Sequence, residues 1–254
     1  MTTLITGATG AIGSALAAQL AATGTPLLLV ARDAGRLDAL TAQLGSAASV
    51  TTLALDLRDS AAAVPALQAA LAAALAAGRP VNRLAHCVGS TVVRPLHLTQ
   101  EADWREQFEI NATTAFTVLK LCVTGAIKAP HPLAAVLVSS VVAHGGFANH
   151  EAIGAAKAAV AALALGTAAS YADKGVRVNV VAPGLTRSTL TQRFIATPAA
   201  EARSAALIPS GRIGEPGEVA ATIGFLLSDA AAHITGQVLQ VSGGQGSLHP
   251  LPKA

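Results

Sequence analysis

The sequence predicts an α/β fold in which helices cover both faces of a doubly wound parallel β-sheet, and two features near its start indicate this. An apolar segment, residues 3–6, leads into a turn where Gly7, Gly10 and Gly13 recur every three residues. Such glycines after a strand allow a tight turn, close approach of the backbone to a ligand and close packing of a helix on the sheet. The segment Leu27–Ala31 is apolar throughout, as expected for a parallel strand covered on both faces.

The other elements follow in chain order from apolar segments and from the residues that end them. Helices are predicted at residues 14–23, 33–44, 61–77 and within 100–127, and strands at 50–55, 81–85 and 134–139. A further helix contains Lys157, a strand covers 177–182, and a helix opened by Glu215-Pro216 precedes a last strand at 237–241. We therefore expect about seven strands in one domain covering residues 1–254, since α/β folds of this length are commonly single domains.

The composition argues against a membrane protein and against a nucleic-acid-binding protein. Hydrophobic residues make up 52% of the 254-residue chain, but the longest apolar tract, 61–77, is mostly alanine and contains Pro65 and Gln68. This tract predicts a buried or half-buried helix. The net charge of +3 comes without a run of lysine or arginine, and aromatic residues are only 3%, which leaves little to stack on bases.

The cysteines and the first residues predict a cytoplasmic location. Cys87 and Cys122 have neither metal-ligand nor redox-pair spacing, so we expect no metal site and no structural disulfide. The chain enters a strand without the basic region, apolar segment and cleavage site of an export signal.

The string TGATGAIG, residues 6–13, resembles the TGxxxGxG turn of the short-chain dehydrogenase/reductase family, with Ala11 in place of the middle glycine. The resemblance runs from residue 3 to residue 244, and its matching parts are VARD at 30–33, Asn111, Ser140, Lys157, PGLTRS at 183–188 and ITGQVLQVSGG at 234–244. It implies a Rossmann-type fold with a nicotinamide dinucleotide in the crevice at the switch point of the sheet. The last of these segments looks most like 3-oxoacyl-carrier-protein reductases.

The resemblance implies a set of cofactor-binding residues at the ends of the strands. They are Thr6, Gly7, Thr9, Gly10, Ile12, Gly13, Arg32, Asp56, Leu57, Gly89, Lys157, Pro183, Gly184 and Ser188. In this reading Asp56 accepts a hydrogen bond from the adenine amino group, and Ser188 stands where the family has a threonine that holds the nicotinamide carboxamide. His86 and Cys87 replace two asparagines of the family's Asn-Asn-Ala-Gly segment, and the lost hydrogen bonds are either restored by His86 or absent.

The residue after the second strand predicts which dinucleotide is bound. NAD-binding folds usually place a carboxylate there, whereas a 2′-phosphate calls for guanidinium groups that bind it in bidentate fashion. This chain has Arg32, with Arg36 as a weaker second candidate, and the stretch VARDAGRL looks like the NADP-preferring members of the family. The prediction is therefore NADP(H) in preference to NAD. The alternative is that Arg32 ends the strand in solvent and pairs with Asp33 or Asp38.

The resemblance also implies catalytic roles. In this family a serine polarises the substrate carbonyl, a tyrosine gives or takes the proton, and a lysine lowers the tyrosine pKa and binds the nicotinamide ribose. The tyrosine stands four residues before the lysine and thirteen after the serine, which selects Ser140 over Ser139 and points to position 153. Asn111 matches the asparagine that helps to hold a water in the proton relay. Residues 189–208 match the place of a mobile substrate lid, and 245–254 form a tail.

Position 153 is isoleucine, which has no ionisable proton, so the usual acid–base step is not available. The only tyrosine, Tyr171, lies more than four helical turns further on. His150 is the best-placed substitute. It stands three residues before Ile153 and seven before Lys157, so it shares their helix face if the helix starts early enough, and an imidazole titrates in the right range. His144, in the bend after Ser140, is a weaker one. The alternative is that His150 is a partly exposed residue without a role.

Two functions remain open. The first is an NADP(H)-dependent oxidoreductase acting on a carbonyl or alcohol group of a small molecule, with the proton supplied by His150, by a water held by Lys157 and Asn111, or by the substrate. The second is an inactive NADP-binding subunit that stabilises or regulates an active partner. The alanine-rich face of residues 155–169 permits close helix contact, and the family commonly assembles, so we expect a homodimer or homotetramer, or a hetero-oligomer with an active homologue.

Overall fold

The computed structural model describes residues 1–248 and confirms the predicted fold class. Seven parallel strands form one sheet in the order β3-β2-β1-β4-β5-β6-β7. The strands are β1 (Thr2–Thr6), β2 (Leu27–Ala31), β3 (Val50–Ala54), β4 (Val81–His86), β5 (Leu133–Val138), β6 (Val176–Pro183) and β7 (Val238–Val241). The helices are α1 (Ala11–Ala21), α2 (Ala34–Leu44), α3 (Ser60–Ala76), α4 (Glu101–Phe108), α5 (Thr114–Lys128), α6 (Glu151–Tyr171), α7 (Pro198–Ala206) and α8 (Pro216–Leu227). Residues 249–254 of the predicted tail lie outside the described residues.

The structure refines three segments of the predicted fold. Helix α1 begins at Ala11 because Gly10, inside the glycine turn, is already its N-cap residue. The helices expected within 100–127 are α4 and α5, and a π-helical turn, Glu109–Thr113, joins them. The segment 189–208, predicted as a substrate lid, contains α7. Its start is marked by Thr197, which accepts a hydrogen bond from the Ala200 amide, and by Pro198 in the first turn.

The strands are buried on both faces, which explains why their sequences do not alternate. Leu4 and Leu28 belong to a cluster with α3, α5 and α6, whereas the next residues, Ile5 and Leu29, belong to a second cluster with α1, α2 and α8. Successive strand side chains point to opposite faces, so each strand feeds both clusters. The helical segments 101–128 and 151–174 are apolar enough to resemble membrane spans, but 50% and 44% of their apolar windows are buried inside the fold.

The glycine turn brings three backbone segments into contact. A Cβ atom at Gly13 would lie 2.3 Å from the Gly7 carbonyl oxygen, so only glycine lets α1 begin this close to β1. Gly7 has a φ of +68°, and a Cβ atom there would lie 2.8 Å from the Cys87 carbonyl carbon in the segment after β4. The two glycines therefore fix how closely α1, β1 and the end of β4 approach one another.

We predict that Gly13→Ala destabilises the protein by about 1–3 kcal/mol, because the new methyl group must displace packed backbone. Gly166→Ala is the matched control: Gly166 lies exposed in α6, and an added Cβ atom there meets nothing within 4 Å. That control should gain about 0.5–1 kcal/mol from helix propensity. Urea unfolding of the two variants measures both effects, and equal stability of the two would contradict the close packing.

Candidate active site

A cleft of about 340 Å³ opens at the carboxyl ends of β1 to β4, which we call the carboxyl-end cleft. It lies at the point where the strand order reverses, between β1 and β4. Ten of the predicted cofactor-binding residues line it: Gly7, Thr9, Gly10, Ile12, Gly13, Arg32, Asp56, Leu57, Gly89 and Ser188. A larger groove of about 450 Å³ lies between α3 and α5 and contains none of the predicted site residues.

The floor of the carboxyl-end cleft is suited to a phosphate group. The glycine turn leads directly into α1, and the first amides of a helix have no partner within the helix. They therefore face the cleft as hydrogen-bond donors at the positive end of the helix dipole. No acidic side chain lies in the first turn of α1 to compete for these amides.

Arginine side chains line one end of the cleft. Arg32 and Arg36 are both exposed there, and Arg36 Nη2 donates to the Thr9 carbonyl at 2.7 Å. The Asp33 carboxylate is the N-cap of α2 and accepts from the Arg36 amide at 3.0 Å. Among residues 1–248, no ion pair joins Arg32 to Asp33 or Asp38. The Arg32 guanidinium is thus available to a ligand.

Asp56 lies in the cleft wall, but its carboxylate is held by Arg58, a residue that the sequence analysis did not single out. Arg58 Nε donates to both carboxylate oxygens, at 3.1 and 3.0 Å, and Nη2 donates to Oδ2 at 2.6 Å. The Arg58 amide donates to Oδ1 at 3.0 Å. These hydrogen bonds hold the pKa of Asp56 below its ordinary value, and the charge of Arg32 adds to this effect.

His86 joins three parts of the site through buried hydrogen bonds. Its Nδ1 lies 2.8 Å from Thr6 Oγ1, and its Nε2 lies 3.3 Å from Thr114 Oγ1. The Thr114 hydroxyl donates to the Ile110 carbonyl at 2.6 Å, so it accepts from the Nε2 proton and leaves Nδ1 to accept from Thr6. Burial, with the nearby charge of Lys157, lowers the pKa of His86 to about 3. Neutral His86 therefore links Thr6 in β1 to Thr114 in α5, and Thr6 does not line the carboxyl-end cleft.

Asn111 is fully buried in the π-helical turn and is oriented by Ser90 and Gln107. Its Oδ1 accepts from the Ser90 amide at 3.2 Å, and its Nδ2 donates to the Gln107 carbonyl at 2.9 Å. The Ser90 hydroxyl, at the cleft wall, accepts from Gln107 Nε2 at 3.2 Å and from Asn111 Nδ2 at 3.4 Å. Nothing in the sequence marks Ser90 or Gln107, because their roles arise only from the tertiary contact.

Lys157 and Asn111 meet beside Gly89. A Cβ atom at Gly89 would lie 3.1 Å from Lys157 Nζ and 3.0 Å from Asn111 Oδ1. Nζ donates to the Val138 carbonyl at 2.9 Å, which leaves two of its three protons for other acceptors. Burial lowers the pKa of Lys157 to about 8. Burial also raises the pKa of the neighbouring Cys87 thiol to about 12, so this thiol stays protonated.

The two serines after β5 have different surroundings. Ser139 is buried, and its hydroxyl donates to the Lys157 carbonyl at 2.8 Å. Ser140 is half-buried; its hydroxyl makes only long contacts, donating to the Pro183 carbonyl and accepting from the Val142 amide, both at 3.4 Å. Of the pair, Ser140 has the hydroxyl that is free to meet a substrate.

Several residues discussed for the sequence do not line the carboxyl-end cleft. Pro183 ends β6, and Gly184 follows where a Cβ atom would lie 2.8 Å from Gln245 Oε1. Ile153 is 3% exposed, one helical turn before Lys157. Tyr171, at the other end of α6, has the Lys174 ammonium over its ring at 5.4 Å.

His150 is the N-cap residue of α6 and lies before its first turn. The helix therefore does not start early enough, and the prediction that His150 shares a helix face with Ile153 is wrong. Its Nδ1 lies 2.7 Å from the Ala148 carbonyl oxygen, which can only accept, so Nδ1 carries a proton and Nε2 is free. The ring meets Phe147 edge-on, with centroids 6.0 Å apart. His150 does not line the carboxyl-end cleft.

Comparison with known proteins agrees with this geometry. Residues 7–245 match the family model described as enoyl-(acyl carrier protein) reductase. The relative named inactive 2-(S)-hydroxypropyl-CoM dehydrogenase 2, from Xanthobacter autotrophicus, is 34% identical over 229 residues, which are 89% of this chain and 96% of the relative. The 3-oxoacyl-[acyl-carrier-protein] reductase of Escherichia coli is 32% identical over 95% of both chains.

Among solved structures, a variant of the actinorhodin polyketide ketoreductase with NADPH is similar along its whole length. The TM-score is 0.87 at 27% sequence identity, and the match covers 97% of each chain. The likeness thus extends over all seven strands of the sheet and over the cleft at their carboxyl ends.

We predict that His86 makes the protein less stable in acid. The folded state keeps this imidazole neutral down to about pH 3, whereas the unfolded chain protonates it below its ordinary value of 6.5. His86 therefore leaves the free energy of unfolding unchanged above about pH 6.5. Below that pH it lowers the free energy of unfolding, by about 2 kcal/mol at pH 5.

Urea unfolding at pH 7.5 and pH 5 measures this decrease. His86→Asn keeps a polar side chain but does not titrate, so its loss of stability between the two pH values should be smaller than that of the wild type. His233→Asn, which removes an exposed imidazole away from the cleft, should lose as much as the wild type. An equal loss in all three proteins would refute the prediction.

Proposed function

The chain belongs to the short-chain dehydrogenase/reductase family of oxidoreductases, and from this premise we propose that it is an NADP(H)-dependent enzyme. It would act on a carbonyl or alcohol group of a small molecule, with a proton donor other than tyrosine. The observation that carries this proposal is that Lys157 Nζ and Asn111 Oδ1 both lie beside Gly89, at the wall of the cleft. Ile153 lies one helical turn before Lys157.

The cleft fits a nicotinamide dinucleotide at both ends. Gly7 and Gly13 let α1 begin close to β1, because a Cβ atom at either would collide with backbone atoms, and this brings the first amides of α1 to the cleft for a pyrophosphate. Arg32 and Arg36 are the phosphate-binding groups that favour NADP(H) over NAD. The similar ketoreductase structure was solved with NADPH, which supports the same choice here.

When bound, a reduced nicotinamide supplies a hydride to the carbonyl carbon, and the carbonyl π electrons move to the oxygen. Ser140 would donate a hydrogen bond to that oxygen as its charge develops, since its hydroxyl makes only long contacts within the protein. Lys157 has two protons left to donate to the ribose hydroxyls of the cofactor. Ser188, at the cleft wall, would hold the carboxamide.

The oxygen must finally receive a proton, and this chain has three sources for it. A water held by Lys157 Nζ and Asn111 Oδ1 is one source, since both atoms lie beside Gly89. The pKa of about 8 for Lys157 suits it to replace that proton near neutral pH. His150, with Nε2 free, and the substrate itself are the other sources.

An inactive NADP-binding subunit is the second candidate function. Ile153 favours it, because the buried aliphatic side chain removes the usual acid. A relative that is 34% identical is itself named as inactive. The substrates in the names of the similar proteins differ, from a coenzyme M conjugate to an acyl carrier protein thioester, so the proposal stays with the carbonyl or alcohol group.

We also propose a cytoplasmic homodimer or homotetramer, or a hetero-oligomer with an active homologue. Three exposed apolar side chains on α5 and α6, Phe116, Ile127 and Leu165, would be covered by such assembly. The small residues of α6 would allow a second helix to approach closely.

We predict that Arg32→Ala lowers NADPH affinity by about tenfold or more, because one charge-assisted contact to a phosphate is worth at least 1.4 kcal/mol by order of magnitude. NADH affinity should change much less. Calorimetric titration of both nucleotides measures the difference. Equal losses for the two nucleotides would argue against a 2′-phosphate contact.

We predict that Ile153→Tyr increases NADPH-dependent reduction across a panel of ketones and acyl thioesters, by about 10²–10⁴-fold if only the general acid is missing. Ile153→Phe is the matched control, since it adds the ring without the hydroxyl. A rise in the tyrosine variant alone supports an intact site. Bound NADPH without turnover in wild type and both variants would favour the inactive subunit.

A further inference from the structure

Arg58 lies at the arginine-lined end of the carboxyl-end cleft and binds the Asp56 carboxylate through several N–H groups. Its Nε, Nη2 and amide N–H groups donate to the two oxygens of Asp56, and the single Nε proton is shared between both oxygens. Both side chains are partly buried, with 40% of Arg58 and 34% of Asp56 exposed. Two carboxylate oxygens have about four acceptor sites, so Arg58 fills most of the capacity of Asp56.

The charges at this end of the cleft explain why the contact matters. Arg32, Arg36 and Arg58 line the cleft with one carboxylate among them, Asp56. A 2′-phosphate carries a charge of about −1.5 to −2, so an unpaired carboxylate beside it would repel it. The glycine turn itself contributes no basic side chain, since residues 6–13 contain neither lysine nor arginine. Phosphate binding at this end therefore depends on the arginines and on whether the Asp56 carboxylate is paired.

We propose that Arg58 is a positioning residue that determines dinucleotide selectivity by neutralising Asp56. With Arg58 in place, the carboxylate neither repels a 2′-phosphate nor has much capacity left for the adenine amino group. Without Arg58, Asp56 would present a free negative charge to the phosphorylated ribose. This inference rests on the NADP(H) site of the proposed function and adds to it a residue that acts through another side chain.

A second feature holds Arg58 in this orientation. Its Nη1 lies 3.9 Å from Glu106 Oε1 on α4, so the guanidinium lies between two carboxylates. The chain also turns tightly after Asp56, since the Asp59 amide donates to the Asp56 carbonyl at 3.2 Å. The Arg58 side chain is thus directed back toward the carboxylate two residues before it.

The test is a double-mutant cycle read by calorimetric binding of NADPH and NADH to the full chain. Arg58→Gln should lower NADPH affinity by about tenfold while NADH affinity changes little, so the ratio of the two affinities falls. Asp56→Asn alone should leave the ratio of NADPH affinity to NADH affinity equal or higher, since any loss of the adenine contact affects both nucleotides alike. The double variant, Asp56→Asn with Arg58→Gln, should recover most of the NADPH affinity, because no carboxylate is left to repel the phosphate.

Arg79→Gln is the matched control, because it removes the same charge next to the amino end of β4, where Arg79 Nη1 donates to Ser49. It should bind both nucleotides as the wild type does. A merely structural role for Arg58 would lower both affinities together and would not be rescued by Asp56→Asn. Either that result or an unchanged affinity ratio in Arg58→Gln overturns this inference alone. A wild type that binds neither nucleotide overturns it together with the proposed function.

Discussion

The contact between the glycine turn and the end of β4 is the constraint on which the site depends. Gly13 and Gly7 admit no side chain, because a Cβ atom at either would overlap backbone atoms of the neighbouring segment. This closeness puts the first amides of α1, the arginines after β2 and the segment after β4 around one cleft. The two hydrophobic clusters on the faces of the sheet keep the three segments from separating.

Buried polar groups then connect this constraint to the catalytic side of the molecule. Neutral His86 accepts from Thr6 and donates to Thr114, while Asn111 is held by Ser90 and Gln107. Both ring nitrogens of His86 and both polar atoms of the Asn111 amide have partners, and such pairing lets a buried polar network stabilise a fold. His86 is therefore compatible with an ordered site, and Ile153, which is 3% exposed, packs as a buried aliphatic side chain without an ionisable group.

Sequence reasoning succeeded where the signal is local. The glycine spacing and the uniformly apolar strands depend on neighbours in the chain, and the fold class was confirmed. Sequence reasoning missed side-chain contacts that no pattern marks, both a local one, Arg58 with Asp56, and a distant one, Ser90 with Gln107. The prediction that His150 shares a helix face with Ile153 failed because α6 begins one residue after His150. A sequence pattern alone defines helix ends poorly.

The π-helical turn at Glu109–Thr113 sets the rotational register between two halves of a long helical segment. An α-helix turns by about 100° per residue, so deleting one residue here would restore a regular helix and rotate everything beyond it by that angle. In such a regular helix, either Asn111 could contact Ser90 or Thr114 could contact His86, but the two contacts could not form together. The extra residue allows one helical segment to contact both His86 at the end of β4 and Ser90 after it, which a regular α-helix would not align.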